Sequence, residues 1–560
     1  MKKLHVHFLF TVAALLLLIP GLNLIQLFDW DELNFAESAR EMVESKNWLY
    51  VQIGYEPFFE KPPLFIWLQA IFYSLGKSTA PWMFKMPNVL AAVIAVNFVY
   101  HVGDKLGKRM LGAFWSLTIL LTFAPFIYWR SGIIDPVFNL FIVMALFQWY
   151  QITQAQLKNE RSHLYYLMVG VYLGCAFLTK GPVAILIAGM VIFVITLIRS
   201  KWHELFNAKI FLSFGGLAIV LGLWILPLLQ SNGSEFLVNF VNYQMVLFKG
   251  QIPWHNQPWF YHIVVLFFLC FPASILALPH LFKNQVLDRN VDVWHLLMRS
   301  LFWIVLVVFS LATTKIIHYS SLCWWPLSYF GAYQIYLVHT NRWKMPYWMY
   351  FPLFLAGLVL ILVFWIIPLV AIIRPIPNIL SSNMDVYSLG LLKTSPKWHW
   401  TTLIPASLFT FWFVPWVFAG IIGKKPNPTF LFLISGSVAL VSGLTLLPAV
   451  SQTLQGPMVS VMRQAKKDKV FLEAWYFKTY ALYFHLELKP EDFNHLKSNT
   501  PLLKDELYPK QTLRRAHAMN PENTGNIYML TKNNYTPDAQ FEALFIKNRD
   551  LGGYILWKRK

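Results

Sequence analysis

Apolar runs of roughly 17 to 25 residues, the length that crosses the hydrocarbon core of a bilayer, recur along most of this chain. They fall near residues 8–28, 83–103, 110–129, 133–152, 163–179, 182–198, 210–230, 259–282, 300–312, 316–338, 347–373, 401–422 and 428–449. A soluble core has no room for that much continuous apolar surface, so the pattern predicts a polytopic all-α membrane protein of about thirteen transmembrane helices. Composition agrees: of 560 residues 57% are hydrophobic and only 13% charged, with a mean hydropathy of +0.49. After about residue 450 the runs shorten and charges rise. The sequence therefore divides into a membrane domain, 1–450, and a small α/β domain, 451–560. Within the latter, Val470–Trp475, Gly525–Leu530 and Gly553–Trp557 read as strands. Thr536-Pro537-Asp538 opens a predicted helix through Asn548, with Thr536 as its cap.

The net charge of +19 does not mark a nucleic-acid binder, because the 46 Lys and Arg residues sit mostly in short loops where they act as topology signals and meet anionic membrane lipids. With Lys2 and Lys3 inside, the predicted inner loops carry Lys105/Lys108/Arg109, Lys158/Arg161, Arg199/Lys201/Lys209, Lys283/Arg289/Arg299, Arg342/Lys344 and Lys424/Lys425. The N-terminus is thus expected to be cytoplasmic and the C-terminal domain to lie outside. Met1-Lys2-Lys3 followed by Phe8 to Ile19 has the shape of a signal peptide, but no small-residue cleavage site follows, so an uncleaved first helix is expected. Cys175, Cys270 and Cys323 all lie in apolar runs, which leaves neither a disulfide framework nor a CxxC metal site.

The same count places residues 29–62, the Trp129 to Pro136 corner, the Thr179-Lys180-Gly181-Pro182 break, the 231–258 loop and the Lys315 to Tyr319 corner together on the outer face. The first of these is the most unusual. Asp29, Asp31, Glu32, Glu37, Glu41, Glu44, Glu56 and Glu60 crowd one loop of a basic protein, which points to a chemical use for carboxylates. Glu32 to Ser45 and Pro63 to Gly76 are predicted to be helices lying along the interface.

Asp31 and Glu32, just outside a membrane helix, can reach a lipid-linked headgroup as base or electrostatic partner, or can simply cap the helix that follows. Glu60-Lys61-Pro62-Pro63 holds a charged pair on a stiff backbone, which reads either as a site or as a surface ion pair. Asp135, before Pro136, is a costly acid at a membrane helix start or an N-cap. Lys180 and Lys315 interrupt apolar spans at their outer ends, where a lysine meets a phosphate or snorkels. Lys180 has the next helix N-terminus directly after Gly181-Pro182, which adds anion affinity. His255 lies beside an aromatic belt; alone it is an interfacial residue, and with Glu60 it makes an ordinary pair of metal ligands.

The order Asp31-Glu32-x-x-x-Ala36-Glu37, Phe59-Glu60-Lys61-Pro62, Ile134-Asp135-Pro136, Thr179-Lys180-Gly181, His255-x-x-Pro258-Trp259-Phe260-Tyr261 and Lys315-x-x-x-Tyr319 resembles the bacterial aminoarabinose transferases. These belong to the wider GT-C glycosyltransferase superfamily, which includes the protein O-mannosyltransferases. The resemblance implies an inner-membrane enzyme that moves a sugar from a polyprenyl-phosphate donor, on the periplasmic side, to an acceptor such as lipid A, with a protein acceptor as the alternative. It implies Asp31 as the catalytic-loop carboxylate, with Asp135 and Glu32 beside it. Lys61 and Lys180 are implied to meet the donor phosphate, with Lys315 and Tyr319 lining the same cavity. It further implies Glu60 with His255 on a divalent metal, zinc by ligand type. The sequence departs from that family at Asn34 and Phe35, where the transferases carry Arg and Tyr: one cation and one hydroxyl fewer. A polyprenyl-sugar transporter is the alternative of another class; it predicts charges spread through the membrane depth rather than gathered at one face.

Overall fold

The computed structural model describes residues 3–231, 233–248, 257–282, 292–373, 381–394, 396, 398–494, 496, 509–523 and 525–560. Each of the thirteen apolar runs contains helix, but the helices are of unequal length. Among the described residues seven are long and apolar enough to span: Pro81–Lys105, Asp135–Leu157, Ile210–Gln230, Asp292–Leu311, Tyr347–Ile372, Trp400–Ile421 and Thr429–Asp468. The helices Arg109–Leu121 and Phe123–Trp129, bent by 69° at their junction, make an eighth span if taken together.

Three of the other runs are cut for local reasons, while His163–Lys180 and Val183–Ile198 fill the runs predicted for them. The first helix, Lys3–Leu18, stops before Pro20 and Gly21; Gly21 has φ +77°, and a Cβ there would lie 2.6 Å from the Leu444 side chain. Run 259–282 splits into Tyr261–Leu269 and Ala273–Phe282 around Pro272, which has no N–H to continue a helix. Run 316–338 begins as a 3₁₀ turn, Ile317–Cys323, before the helix Trp324–His339. Where helices pass closely, glycine makes the room: a Cβ on Gly216 would be 3.0 Å from the Val171 nitrogen, which lets Ile210–Gln230 lie against His163–Lys180.

The loop helix Asp31–Glu44 does not lie open on an interface, because every residue from Glu32 to Met42 is buried. Leu64–Gly76 does keep an exposed apolar side, with Ile71 and Leu75 at 50% and 75% exposure. Between these two helices, strands β1 (Gln52–Ile53) and β2 (Glu56–Pro57) form a hairpin whose central residues, Gly54 and Tyr55, have φ of 64° and 60°, the geometry of a type I′ turn.

Residue 450 lies inside a helix, Leu446–Asp468, which runs from the membrane body to the C-terminal sheet. That sheet has strand order β3-β4-β6-β5. Strand β3 (Phe471–Ala474) is parallel to β4 (Ile527–Lys532); β6 (Tyr554–Arg559) is antiparallel to both β4 and β5 (Phe545–Asp550). The three strands predicted from sequence are therefore present. The helix predicted over 536–548 is only Ala539–Leu544, capped by Asp538, whose carboxylate accepts from the Phe541 N–H (2.8 Å), and the rest of that segment is β5. The pairing of this segment with β6 outweighs the cap signal.

Candidate active site

Four segments far apart in sequence meet above the membrane helices: the start of the loop helix, the 130–135 corner, the end of the helix His163–Lys180, and the Lys315 to Tyr319 corner. Asp31 is the first residue of its helix, where the positive end of the helix dipole favours an acid. Its side chain is 32% exposed. Glu32 behaves differently: it is buried, and its two carboxylate oxygens accept from the backbone N–H groups of Phe28 (2.7 Å) and Gly132. Glu32 thus pins the entry of the loop helix to the corner that carries Asp135, a positioning task that leaves its carboxylate engaged.

Asp135 opens the helix Asp135–Leu157 with Pro136 behind it, and its side chain is 3% exposed. Its Oδ1 receives the Lys180 ammonium at 2.6 Å and the Ser321 hydroxyl at 3.3 Å. The helix that carries Lys180 ends there because Gly181 has φ +89°. The ammonium also lies over the Tyr319 ring, 5.3 Å from its centroid, and over Phe138 at 5.7 Å. His318, on the 3₁₀ turn, faces both acids: its Nε2 is 3.6 Å from Asp31 Oδ2 and 4.0 Å from Asp135 Oδ2.

Lys61 adjoins this cluster, within electrostatic reach of Asp31 and Tyr319, and its ammonium rests on Glu60 Oε1 at 2.6 Å. Burial works against the charged form of Lys61, but the Glu60 carboxylate outweighs it and holds the amine above the ordinary lysine range. The Gln244 side chain donates to the Glu60 carbonyl oxygen (3.1 Å), which anchors the Glu60-Lys61 bend to the helix Ser234–Phe248.

The structure thus gathers Asp31, Asp135, Lys180 and Tyr319, with Lys61 and Glu60 adjoining. Lys315 is buried, and its ammonium donates to the Ala312 carbonyl oxygen (2.7 Å) beside His262, on its own side of the corner. His255 lies outside the described residues. Among the described residues no three His, Cys, Asp or Glu side chains come together as metal ligands, and Glu60 is engaged by a lysine. Asn34 and Phe35 are buried within the loop helix, Phe35 edge-on to Phe65. His318 and Ser321 had no motif of their own in the sequence. The only signal for them was their place in or next to the corner between Lys315 and Tyr319.

The acidic loop is mostly scaffold. Glu37 makes a two-pronged ion pair with Arg40 (2.6 and 2.7 Å), and Arg40 also donates to the Leu488 carbonyl oxygen (2.8 Å) in the C-terminal domain. Glu41 accepts from the N–H groups of Gly54 and Tyr55 (2.7 and 2.8 Å), closing the β-hairpin; burial, and then Glu37, push its pKa well above the usual carboxylate range. Glu44 accepts from the Tyr73 hydroxyl (3.0 Å). Asp29 accepts from the Tyr480 N–H (3.2 Å), and burial raises its pKa to about 6.

Residues 60–226, which hold Glu60, Lys61, Asp135 and Lys180, match the family described as dolichyl-phosphate-mannose-protein mannosyltransferase. The undecaprenyl phosphate-alpha-4-amino-4-deoxy-L-arabinose arabinosyl transferase of Pectobacterium carotovorum is 29% identical over 338 residues, 59% of this chain and 58% of that protein. Its counterpart in Wigglesworthia glossinidia brevipalpis is 24% identical over 345 residues. The sequence match therefore spans less than two thirds of the length of these relatives. The structural match is longer: the crystal structure of ArnT from Cupriavidus metallidurans in the apo state has a TM-score of 0.73 at 16% identity, covering 98% of this chain and 97% of that one. The same protein bound to undecaprenyl phosphate gives 0.70 with the same coverage. This chain has the GT-C fold and, among its members, resembles the bacterial aminoarabinose transferases.

Proposed function

We propose that the chain is a glycosyltransferase of the bacterial inner membrane. It moves a sugar from an undecaprenyl-phosphate-linked donor to lipid A or a related envelope glycolipid on the periplasmic side. The observation that carries this reading is the single cluster in which an open carboxylate, Asp31, stands with two cations, Lys61 and Lys180, on a fold shared with a protein crystallised with undecaprenyl phosphate.

The chemistry follows from charge. A polyprenyl phosphate departs with its electron pair, and cations already in place stabilise that charge without reorganising. Lys61, held protonated by Glu60, and Lys180, held by Asp135, are set for this task. Asp31 takes the proton of a hydroxyl acceptor, or orients a phosphate acceptor and steadies the cationic sugar. A divalent metal on Glu60 and His255 is a separate proposal with its own readout: zinc bound in stoichiometric amount to purified protein and lost in Glu60→Gln.

Orientation is part of the proposal. Lys3 and Arg109 both pair with Asp104 (2.7 and 2.5 Å), so the N-terminus shares a face with the first basic loop, while Asp29 shares the other with the C-terminal domain. The family match over residues 60–226 favours a second reading, transfer to protein. Mass spectrometry of lipids and proteins from cells with and without the chain separates them. Loss of a sugar from lipid A supports the first and loss from proteins the second. A changed distribution of polyprenyl-linked sugars alone replaces both with transport.

A further inference from the structure

We infer that His318 is the positioning residue that takes up and stores the acceptor's proton, standing between the carboxylate that meets the acceptor and the one that never does. The inference rests on the transferase reading above, in the form in which the acceptor is a hydroxyl. Three observations carry it. His318 is 7% exposed, yet its Nε2 points at two carboxylates, 3.6 Å from Asp31 and 4.0 Å from Asp135. Those acids are unlike: Asp31 is one third open to the cavity, whereas Asp135 is shut in. Finally, Asp135 uses only one oxygen; Oδ1 holds Lys180 and Ser321, while Oδ2 is buried without a hydrogen-bond partner among the described residues.

A buried carboxylate oxygen left without a donor is costly, and in this cluster the missing donor is a proton on His318 Nε2. In the resting site the imidazole is neutral and Nε2 carries no proton, so Asp135 Oδ2 stays without its donor. When the acceptor attacks, its O–H bond breaks as its oxygen bonds to the sugar carbon. The bond from that carbon to the phosphate oxygen breaks, with the electron pair going to the polyprenyl phosphate. The proton passes from the acceptor to Asp31 and on to His318 Nε2, forming an imidazolium that faces Asp31 and donates to Asp135 Oδ2. Asp31 is left ionised for the next acceptor, and the proton returns to water through its open side as product leaves. The present distances are longer than hydrogen bonds, as is usual for catalytic contacts before substrate tightens them. The other charged or titratable groups around His318 are Lys180, Lys61, Tyr319 and His262. The two lysines are committed to Asp135 and Glu60, and among the described residues the imidazole is the base that faces both acids.

The test uses the full chain in lipid nanodiscs, with undecaprenyl-phosphate 4-amino-4-deoxy-L-arabinose as donor and lipid A as acceptor, in single turnovers from about pH 5 to 9. For His318→Gln the expected result is a rate about 100-fold lower near neutrality, recovering as pH rises, with donor KM within about twofold of wild type. A rate within about threefold of wild type and an unchanged pH profile would overturn the relay, because a packing role moves stability and not the profile. Should that variant fail to fold, rates of the wild type in mixtures of light and heavy water decide: a curved dependence, from two protons in flight, is expected, and a straight line overturns it. A wild type that transfers nothing between these two lipids refutes aminoarabinose transfer to lipid A as the form of the functional reading on which the relay is tested. An active wild type with an indifferent His318→Gln refutes the relay alone.

Discussion

At the scale of single residues, the two aspartates separate chemistry from architecture. Asp31→Asn is expected to lower transfer at least about 100-fold while leaving thermal unfolding within about 0.5 kcal/mol of wild type, since its side chain is a third exposed. Asp135→Asn is expected to cost activity less completely but stability more, because the Lys180 ammonium loses a charged partner at 2.6 Å. Lys61→Ala and Lys180→Ala should each weaken donor use, and the double variant should nearly abolish it; titration with undecaprenyl phosphate followed by tryptophan fluorescence measures this directly. Asp31, Asp135, Lys61 and Lys180 were legible in the sequence because each is an ionised group that a membrane boundary makes expensive. The hold of Glu32 on the corner was not legible, because its partner, the N–H of Gly132, is remote in sequence and belongs to the backbone. Lys315 looked like Lys180, and only the local turn back to Ala312 distinguishes them. His318 had no spacing signature at all.

At the scale of elements, the acidic loop shows how a charge pattern misleads when its partners lie elsewhere. Helix Asp31–Glu44 was legible from composition, but its burial was not, because part of what covers it, beyond Leu64–Gly76, comes from about 450 residues further on, through Arg40 to Leu488 and Asp29 to Tyr480. Arg40→Ala should destabilise the protein by about 3 to 5 kcal/mol by leaving Glu37 buried and unpaired, seen as early loss of protease resistance in the 31–60 segment. The Asp29 contact carries a pH dependence of definite sign. An acid whose folded-state pKa is raised, here to about 6 from 3.8, binds more protons folded than unfolded, so its contribution is most favourable below about pH 4 and declines as pH rises through 6. Thermal midpoints should therefore fall over that window, and Asp29→Asn, which keeps an oxygen for the Tyr480 N–H, should flatten the decline.

At the scale of the whole molecule, periodicity and loop charge yielded the class of fold, whereas the helix count by length is smaller because Pro20, Pro272 and the turn at Ile317–Cys323 cut runs that read as continuous. Reporter fusions at Lys344 and Lys560 are expected to lie on opposite sides of the membrane; finding both on one side would overturn the orientation. The docking of Arg40 and Asp29 onto residues 480–488 has a consequence for how such a protein can be rebuilt. Domains joined only by a linker can be exchanged between relatives, but here the C-terminal domain and the acidic loop complete one another's hydrogen bonds. A chimaera that imports residues 469–560 from a relative should fold only when residues 29–60 come with it, so for rebuilding the two segments form one cassette although nearly the whole membrane body separates them in sequence.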